Sequence, residues 1–125
     1  MSAFYLTPIN TFGHDIGDQV LQQTAKIVKN IIRNSDYFIR WGGEEFMILC
    51  PETNINNTLT LAEKIRSAID TACFPEVKHI TVSLGVTTFI KDDNIKSFTK
   101  RVDEALYEAK ESGRNIAKKI IIVEK

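Results

Sequence analysis

The sequence predicts an α+β domain, a mainly antiparallel sheet flanked by helices, and three observations carry that prediction. Residues 37–50 form two short alternating runs on either side of Gly42-Gly43, the pattern of paired strands joined by a tight turn. Three segments repeat apolar residues at helical spacing. The resulting order of helix, hairpin, helix, strand, helix, strand places helices on one or both faces of the sheet.

Taken in order, residues 1–7 hold three consecutive bulky side chains, Phe4, Tyr5 and Leu6, followed by Pro8, so at most a short strand or a turn of helix is expected there. From Asp18 onward Val20, Leu21, Thr24, Ile27, Val28, Ile31 and Ile32 share one helical face; Gly17 breaks the chain and Asp18 is placed as the N-cap. In the hairpin Tyr37, Ile39 and Trp41 alternate with Phe38 and Arg40, and Phe46, Ile48 and Cys50 alternate with Met47 and Leu49. Residues 51–54 read as a loop. A second helix runs from Leu59 through Ile65 and Ile69 to Cys73, and Phe74-Pro75 ends it. Ile80 to Phe89 is a long strand in which Gly85 marks a bend or a close backbone approach. A third helix from Ile95 closes at Gly113, and Lys119 to Val123 is a final β-branched strand.

The chain has 125 residues, 43% of them hydrophobic, which suits one domain, 1–125, with a real core. Sixteen basic residues balance sixteen acidic ones, so net charge draws the chain to neither a nucleic acid polymer nor an anionic membrane. No apolar run is long enough to span a bilayer and no signal-type segment opens the chain, so a cytoplasmic location is expected. Cys50 and Cys73 have no metal-ligand spacing and apolar neighbours, and are expected as buried, reduced thiols.

Four groups bear on chemistry. At Gly42-Gly43-Glu44-Glu45 the glycines leave room for a phosphate to meet backbone N–H groups while Glu44 holds a cation; the same residues also suit a solvated turn with two surface glutamates. The stretch from Gly13 to Asp18 is a glycine-framed turn into a helix, or a loop with its cap. Lys110 and Arg114 are two cations around a helix end, where they also complement the helix dipole. Arg33 to Asp36 lies between the first helix and the hairpin, where Arg33 serves equally as the last-turn cation.

Together these groups resemble one family. Gly13-His14-x-x-Gly17-Asp18, Arg33-x-x-Asp36, Arg40-Trp41-Gly42-Gly43-Glu44-Glu45-Phe46, the strand Ile80 to Val86, and the run from Asp103 to Asn115 containing Lys110, Gly113 and Arg114 follow the order and spacing of the GGDEF domain of diguanylate cyclases, here as GGEEF. The resemblance covers Thr11 to Asn115. It implies a palm-like nucleotidyl cyclase fold and the condensation of two GTP molecules into cyclic di-GMP with release of pyrophosphate. It also implies Mg²⁺ or Mn²⁺ as cofactor, a homodimer that brings two nucleotides face to face, and an upstream sensory domain in a longer parent. By resemblance Glu44 is the catalytic, metal-binding carboxylate; Gly42 and Gly43 approach the nucleotide phosphates; Asn10 and Asp18 read the guanine; and Lys110 and Arg114 bind phosphate. Arg33 and Asp36 have the spacing of an inhibitory site for the product. Phe46 is expected in the core.

The N-terminal region departs from the family pattern. There a helix and a central strand precede the Gly-His motif, the strand ending in a metal-binding aspartate; here both are expected to be largely missing, with residues 1–10 an atypical remnant. Aligned without a gap, the aspartate falls at Met1 and the guanine-binding asparagine at Ile9; a one-residue deletion brings Asn10 into the asparagine's place. Glu45 and Asp15 are the other carboxylates near in sequence. Two functions follow: a cyclase impaired in this form, or a non-catalytic module that binds GTP or cyclic di-GMP and acts through partner contacts.

Overall fold

The structure is a computed structural model that describes the backbone of residues 2–9, 14–42, 45–74, 80–111 and 117–120. In chain order the elements are β1 (Ser2–Ile9), α1 (His14–Ile31), β2 (Tyr37–Gly42), β3 (Glu45–Cys50), α2 (Ile55–Thr71), β4 (Thr81–Thr88), α3 (Ile95–Glu111) and β5 (Ala117–Ile120). The strands form a five-stranded sheet in the order β2-β3-β1-β4-β5. Its first four strands pair antiparallel, and β5 joins β4 in parallel. This is the expected α+β architecture.

Helices cover both faces. Phe4 and Leu6 of β1, Phe46 and Ile48 of β3, and Val82, Leu84 and Val86 of β4 point to one side, where Val20 and Val28 of α1 and Ala62, Ile65 and Ile69 of α2 complete a buried core. On the other side Ala3, Tyr5 and Met47 pack against Phe98, Val102 and Leu106 of α3. Each large side chain buried in this way is worth about 1.5–3 kcal/mol.

The expectation of a missing central strand is corrected: β1 occupies the middle of the sheet, paired with β3 from Ser2↔Cys50 to Leu6↔Phe46 and with β4 from Ser2↔Thr88 to Ile9↔Thr81. A strand buried on both faces reads as a continuous apolar run without alternation, which is why Ala3-Phe4-Tyr5-Leu6 carries no strand period. Pro8 is tolerated because, among the described residues, β1 beyond Leu6 pairs only with β4, so one side of the ladder needs no donor there.

Two helix boundaries also shift. Helix α1 starts at His14, so Gly17 lies within its first turns and Asp18 is not its N-cap. A glycine there costs about 0.5–1 kcal/mol relative to alanine, less than the burial of Val20, Thr24 and Val28 along the same face returns. Helix α2 begins earlier than its periodicity suggested because Asn54 caps it, the side chain accepting from the Asn57 N–H at 2.8 Å. Cys50 is buried as expected, but Cys73 is exposed. Gly113 and residues 121–125 lie outside the described residues.

Candidate active site

The register of the sheet decides which predicted residues meet. Leu6 pairs with Phe46, so the C-terminal end of β1 lies at the end of the sheet where β2 turns into β3. From that end the chain enters α1, so Asp18 is held exposed near it. Helix α3 runs antiparallel to β4: Arg101 bonds Thr87 and Thr88, and Leu106 lies against Gly85. Lys110, one turn further along, comes level with the same end. Gly42 closes β2 there, after a register shift between Arg40 and Gly42. Asp18, Gly42 and Lys110 therefore lie toward the same end of the sheet, Asp18 and Lys110 on helices that cover opposite faces. Asn10, Gly43, Glu44 and Arg114 lie outside the described residues.

Between α1 and the hairpin is a cavity of about 450 Å³, the size of small-molecule sites. Asp18 and Gln22 stand on its helical wall above Leu21 and Ala25. Phe38 and Phe46 form the opposite wall, their rings stacked with centroids 5.0 Å apart. Phe46 is core, as expected, but it also shapes this cavity. Lys29, 5.9 Å from the Phe38 ring centroid, and Arg40 bring positive charge to the rim. Gln22 and Lys29 were not singled out from the sequence, although the four-residue step from Asp18 to Gln22 puts them on one helical face.

Arg33 and Asp36 lie at the other end of β2, a separation of roughly 17 Å along the strand at about 3.3 Å per residue. The Asp36 side chain is 0% exposed and accepts from the Arg33 backbone N–H at 2.9 Å and from its guanidinium at 3.4 Å. That guanidinium also donates to the Thr53 hydroxyl, while the Arg33 side chain is 55% exposed. Burial, then the Asp36 charge, pushes the neighbouring Cys50 thiol up to about 12, so it stays neutral.

The metal position is the second correction. Ser2 pairs with Cys50, at the end of β3 away from the glycine turn, roughly 13 Å along the strand from Leu6. The ungapped alignment of the aspartate to Met1 is therefore overturned; the β1 residues beside the turn are Leu6 and those after it. None is acidic, and the sequence has no Asp or Glu before Asp15. Glu45, half-buried, faces the α3 side: burial first, then the Asp103 and Glu45 carboxylates, raise the Tyr5 phenol to about 12. Among the described residues no three His, Cys, Asp or Glu side chains gather as a metal site. A cation pair held by carboxylates from both β1 and the hairpin does not fit this chain.

Comparison with known proteins agrees with the geometry. The family described as diguanylate cyclase, GGDEF domain, matches residues 6–116. The chain is 41% identical over 104 residues to the diguanylate cyclase DgcM of Escherichia coli K12, covering 83% of this chain and 25% of that protein. It superposes with TM-score 0.88 and 30% identity on diguanylate cyclase SiaD of Pseudomonas aeruginosa, solved with its activator SiaC, over 95% of this chain and 49% of that one. With the active GGEEF domain of a diguanylate cyclase from Vibrio cholerae the TM-score is 0.86 at 34% identity, over 99% and 83% of the two chains. The chain spans about a quarter of the length of curated relatives such as DgcM. No described helix is long and apolar enough to cross a membrane. The match over residues 6–116, joined to a sheet that gathers Asp18, Gly42 and Lys110 at one end, means that this chain belongs to the GGDEF domain family of diguanylate cyclases.

Proposed function

We propose that this chain is a single GTP-binding cyclase domain that condenses two GTP molecules into cyclic di-GMP and pyrophosphate, slowly in the present form. The observation that carries this reading is Asp18 on the wall of a cavity of about 450 Å³ between α1 and the hairpin that Gly42 closes. In the reaction the 3′-hydroxyl of one nucleotide attacks the α-phosphorus of the other, an O–P bond forms and pyrophosphate leaves; two domains face each other as a homodimer, each holding one GTP. Asp18 and Asn10 read the guanine, Gly42 and Gly43 admit the phosphates to the backbone, and Lys110 and Arg114 neutralise them. Glu44 is the catalytic carboxylate and the ligand for Mg²⁺ or Mn²⁺, in a family generally dependent on divalent metal. Arg33 and Asp36 form the product-binding inhibitory site. The location is cytoplasmic, with a sensory domain in a longer parent.

The acid-free β1 favours a second reading, a module that binds GTP or cyclic di-GMP without turnover and works through partner contacts. Incubation with GTP and Mg²⁺ followed by chromatography separates the two. Cyclic di-GMP supports the cyclase, bound but unchanged GTP supports the module, and neither removes both. Charge reversal at Arg114 is expected to weaken GTP binding far more than the same change at Lys91.

A further inference from the structure

We infer that Ser83 is a positioning residue, its buried hydroxyl holding the Lys110 ammonium in place for the nucleotide phosphates. The inference rests on the GTP reading above and deepens it. Ser83 is 0% exposed, and its Oγ is the one buried side-chain oxygen or nitrogen among the described residues without a hydrogen-bond partner. An unpaired buried hydroxyl destabilises a fold, and alanine fits the same space without that cost, so stability alone does not account for a serine here.

Alternation along β4 decides what the hydroxyl faces. Val82, Leu84 and Val86 enter the core beneath α1 and α2, so Ser83, Gly85 and Thr87 face α3. Two of these three already meet the helix: the Thr87 hydroxyl accepts from the Arg101 guanidinium at 3.0 Å, and Gly85 lies against the Leu106 backbone. The helix runs antiparallel to the strand. From Arg101 to Lys110 it advances about 13.5 Å, and from Thr87 to Ser83 the strand advances roughly 13 Å, so Lys110 comes level with Ser83 as Arg101 does with Thr87. Of the described residues in the last turn of α3, Glu108 and Glu111 are exposed and Ala109 is buried and apolar; Lys110 is half-buried and has a donor to offer. Its ammonium carries three donors, so one given to Ser83 leaves two for phosphate oxygens. Bringing that charge down beside a buried hydroxyl strips it of water, a cost that a neighbouring phosphate offsets, so the pair forms with the nucleotide bound.

Calorimetry of the whole chain with GTP and with guanosine, alongside thermal unfolding, tests this. Ser83→Ala is expected to unfold a few degrees higher than the parent, because it removes the unpaired hydroxyl. It is also expected to bind GTP about tenfold more weakly, the worth of one hydrogen bond to a charged group, with guanosine binding unchanged. In a Lys110→Ala background Ser83→Ala is expected to weaken GTP binding no further. A fall in Tm, or an equal loss of GTP binding without Lys110, marks a residue that only supports β4 and overturns the inference. GTP binding unchanged in Ser83→Ala but weakened in Lys110→Ala overturns it too and leaves the GTP reading standing. A Lys110→Ala variant that binds GTP as the parent does removes the phosphate role of Lys110 and the inference with it; a parent that binds no GTP overturns both readings.

Discussion

A Cβ added to Gly85 would lie 2.0 Å from the backbone nitrogen of Leu106. Strand β4 and helix α3 are in backbone contact at this point, with Tyr5 of the central strand paired to Gly85 on its other flank. The contact fixes how close α3 lies to the sheet, and so where its last turn delivers Lys110. Gly85→Ala is therefore expected to cost about 3 kcal/mol through overpacking against backbone that cannot rotate away, lowering Tm on the order of 10 °C. Thermal unfolding followed by circular dichroism measures this. A variant as stable as the parent would mean that α3 is free to shift outward.

The start of α3 is tied down by charge. The Arg101 guanidinium donates to the Thr87 hydroxyl at 3.0 Å, to the Thr88 carbonyl at 2.9 Å and to Asp93. Asp93 also accepts from the Ile90 N–H and the Ser97 hydroxyl. The hydrogen bond from Arg101 is the main cause that holds the Asp93 carboxyl down at about 2 against an ordinary 3.8. A depressed carboxyl stabilises the fold above its unfolded value, and that contribution is lost as the pH falls from about 3.8 through about 2. Arg101→Met should cost on the order of 3–5 kcal/mol at neutral pH by stranding a buried carboxylate. Its loss of stability should also shrink toward acid, where Asp93 is protonated in the variant. Urea unfolding of parent and variant at pH 7 and pH 3 reads both effects.

Much of this architecture is legible in the sequence where one face of an element is buried and the other wet. The hairpin strands and all three helices show their periods for that reason, and of the two readings of Gly85, a bend or a close approach, the structure has the close approach. Strand β1 was hidden because Phe4 and Leu6 enter one core while Ala3 and Tyr5 enter the other, which leaves no polar residue to mark a face. Asp18 was legible as a site residue by resemblance, but Gly17 made it look like a cap. Gln22 and Lys29 were not legible because a polar residue on an exposed helix face needs no explanation until an opposing wall, here Phe38 and Phe46, encloses it.

Arg33 and Asp36 should behave differently when replaced, although one motif contains both. The Asp36 carboxylate is buried and accepts the Arg33 backbone N–H, so Asp36→Ala should destabilise the turn into β2 by about 1–3 kcal/mol through an unpaired buried donor. The Arg33 side chain is 55% exposed, and its ion pair is worth at most about 1 kcal/mol. Arg33→Ala is thus the clean probe of product binding: its Tm should stay within about 4 °C of the parent while its affinity for cyclic di-GMP falls. Equal affinity by calorimetry would remove the inhibitory-site assignment.

The corrected register also changes what would restore a fast cyclase. A strand appended upstream would compete with Ser2–Ile9 for the central place in the sheet, because that strand already pairs on both sides. What the chain lacks is a carboxylate on β1 level with the hairpin turn. Leu6 pairs with Phe46 and is buried in the core, so an acid there would unfold the protein before it bound a metal. Thr7, the next residue, is paired with Ser83 of β4 and lies past the last pair with β3. Thr7→Asp is expected to tighten Mn²⁺ binding by calorimetry and to raise cyclic di-GMP formation at least about tenfold, since a second carboxylate on the cation supplies several kcal/mol of charge stabilisation. Ser2→Asp, opposite Cys50 at the far end of the strand, should do neither. If Ser2→Asp were the variant that gained activity, the aspartate position would lie at the start of β1 and the pairing of Leu6 with Phe46 would be wrong.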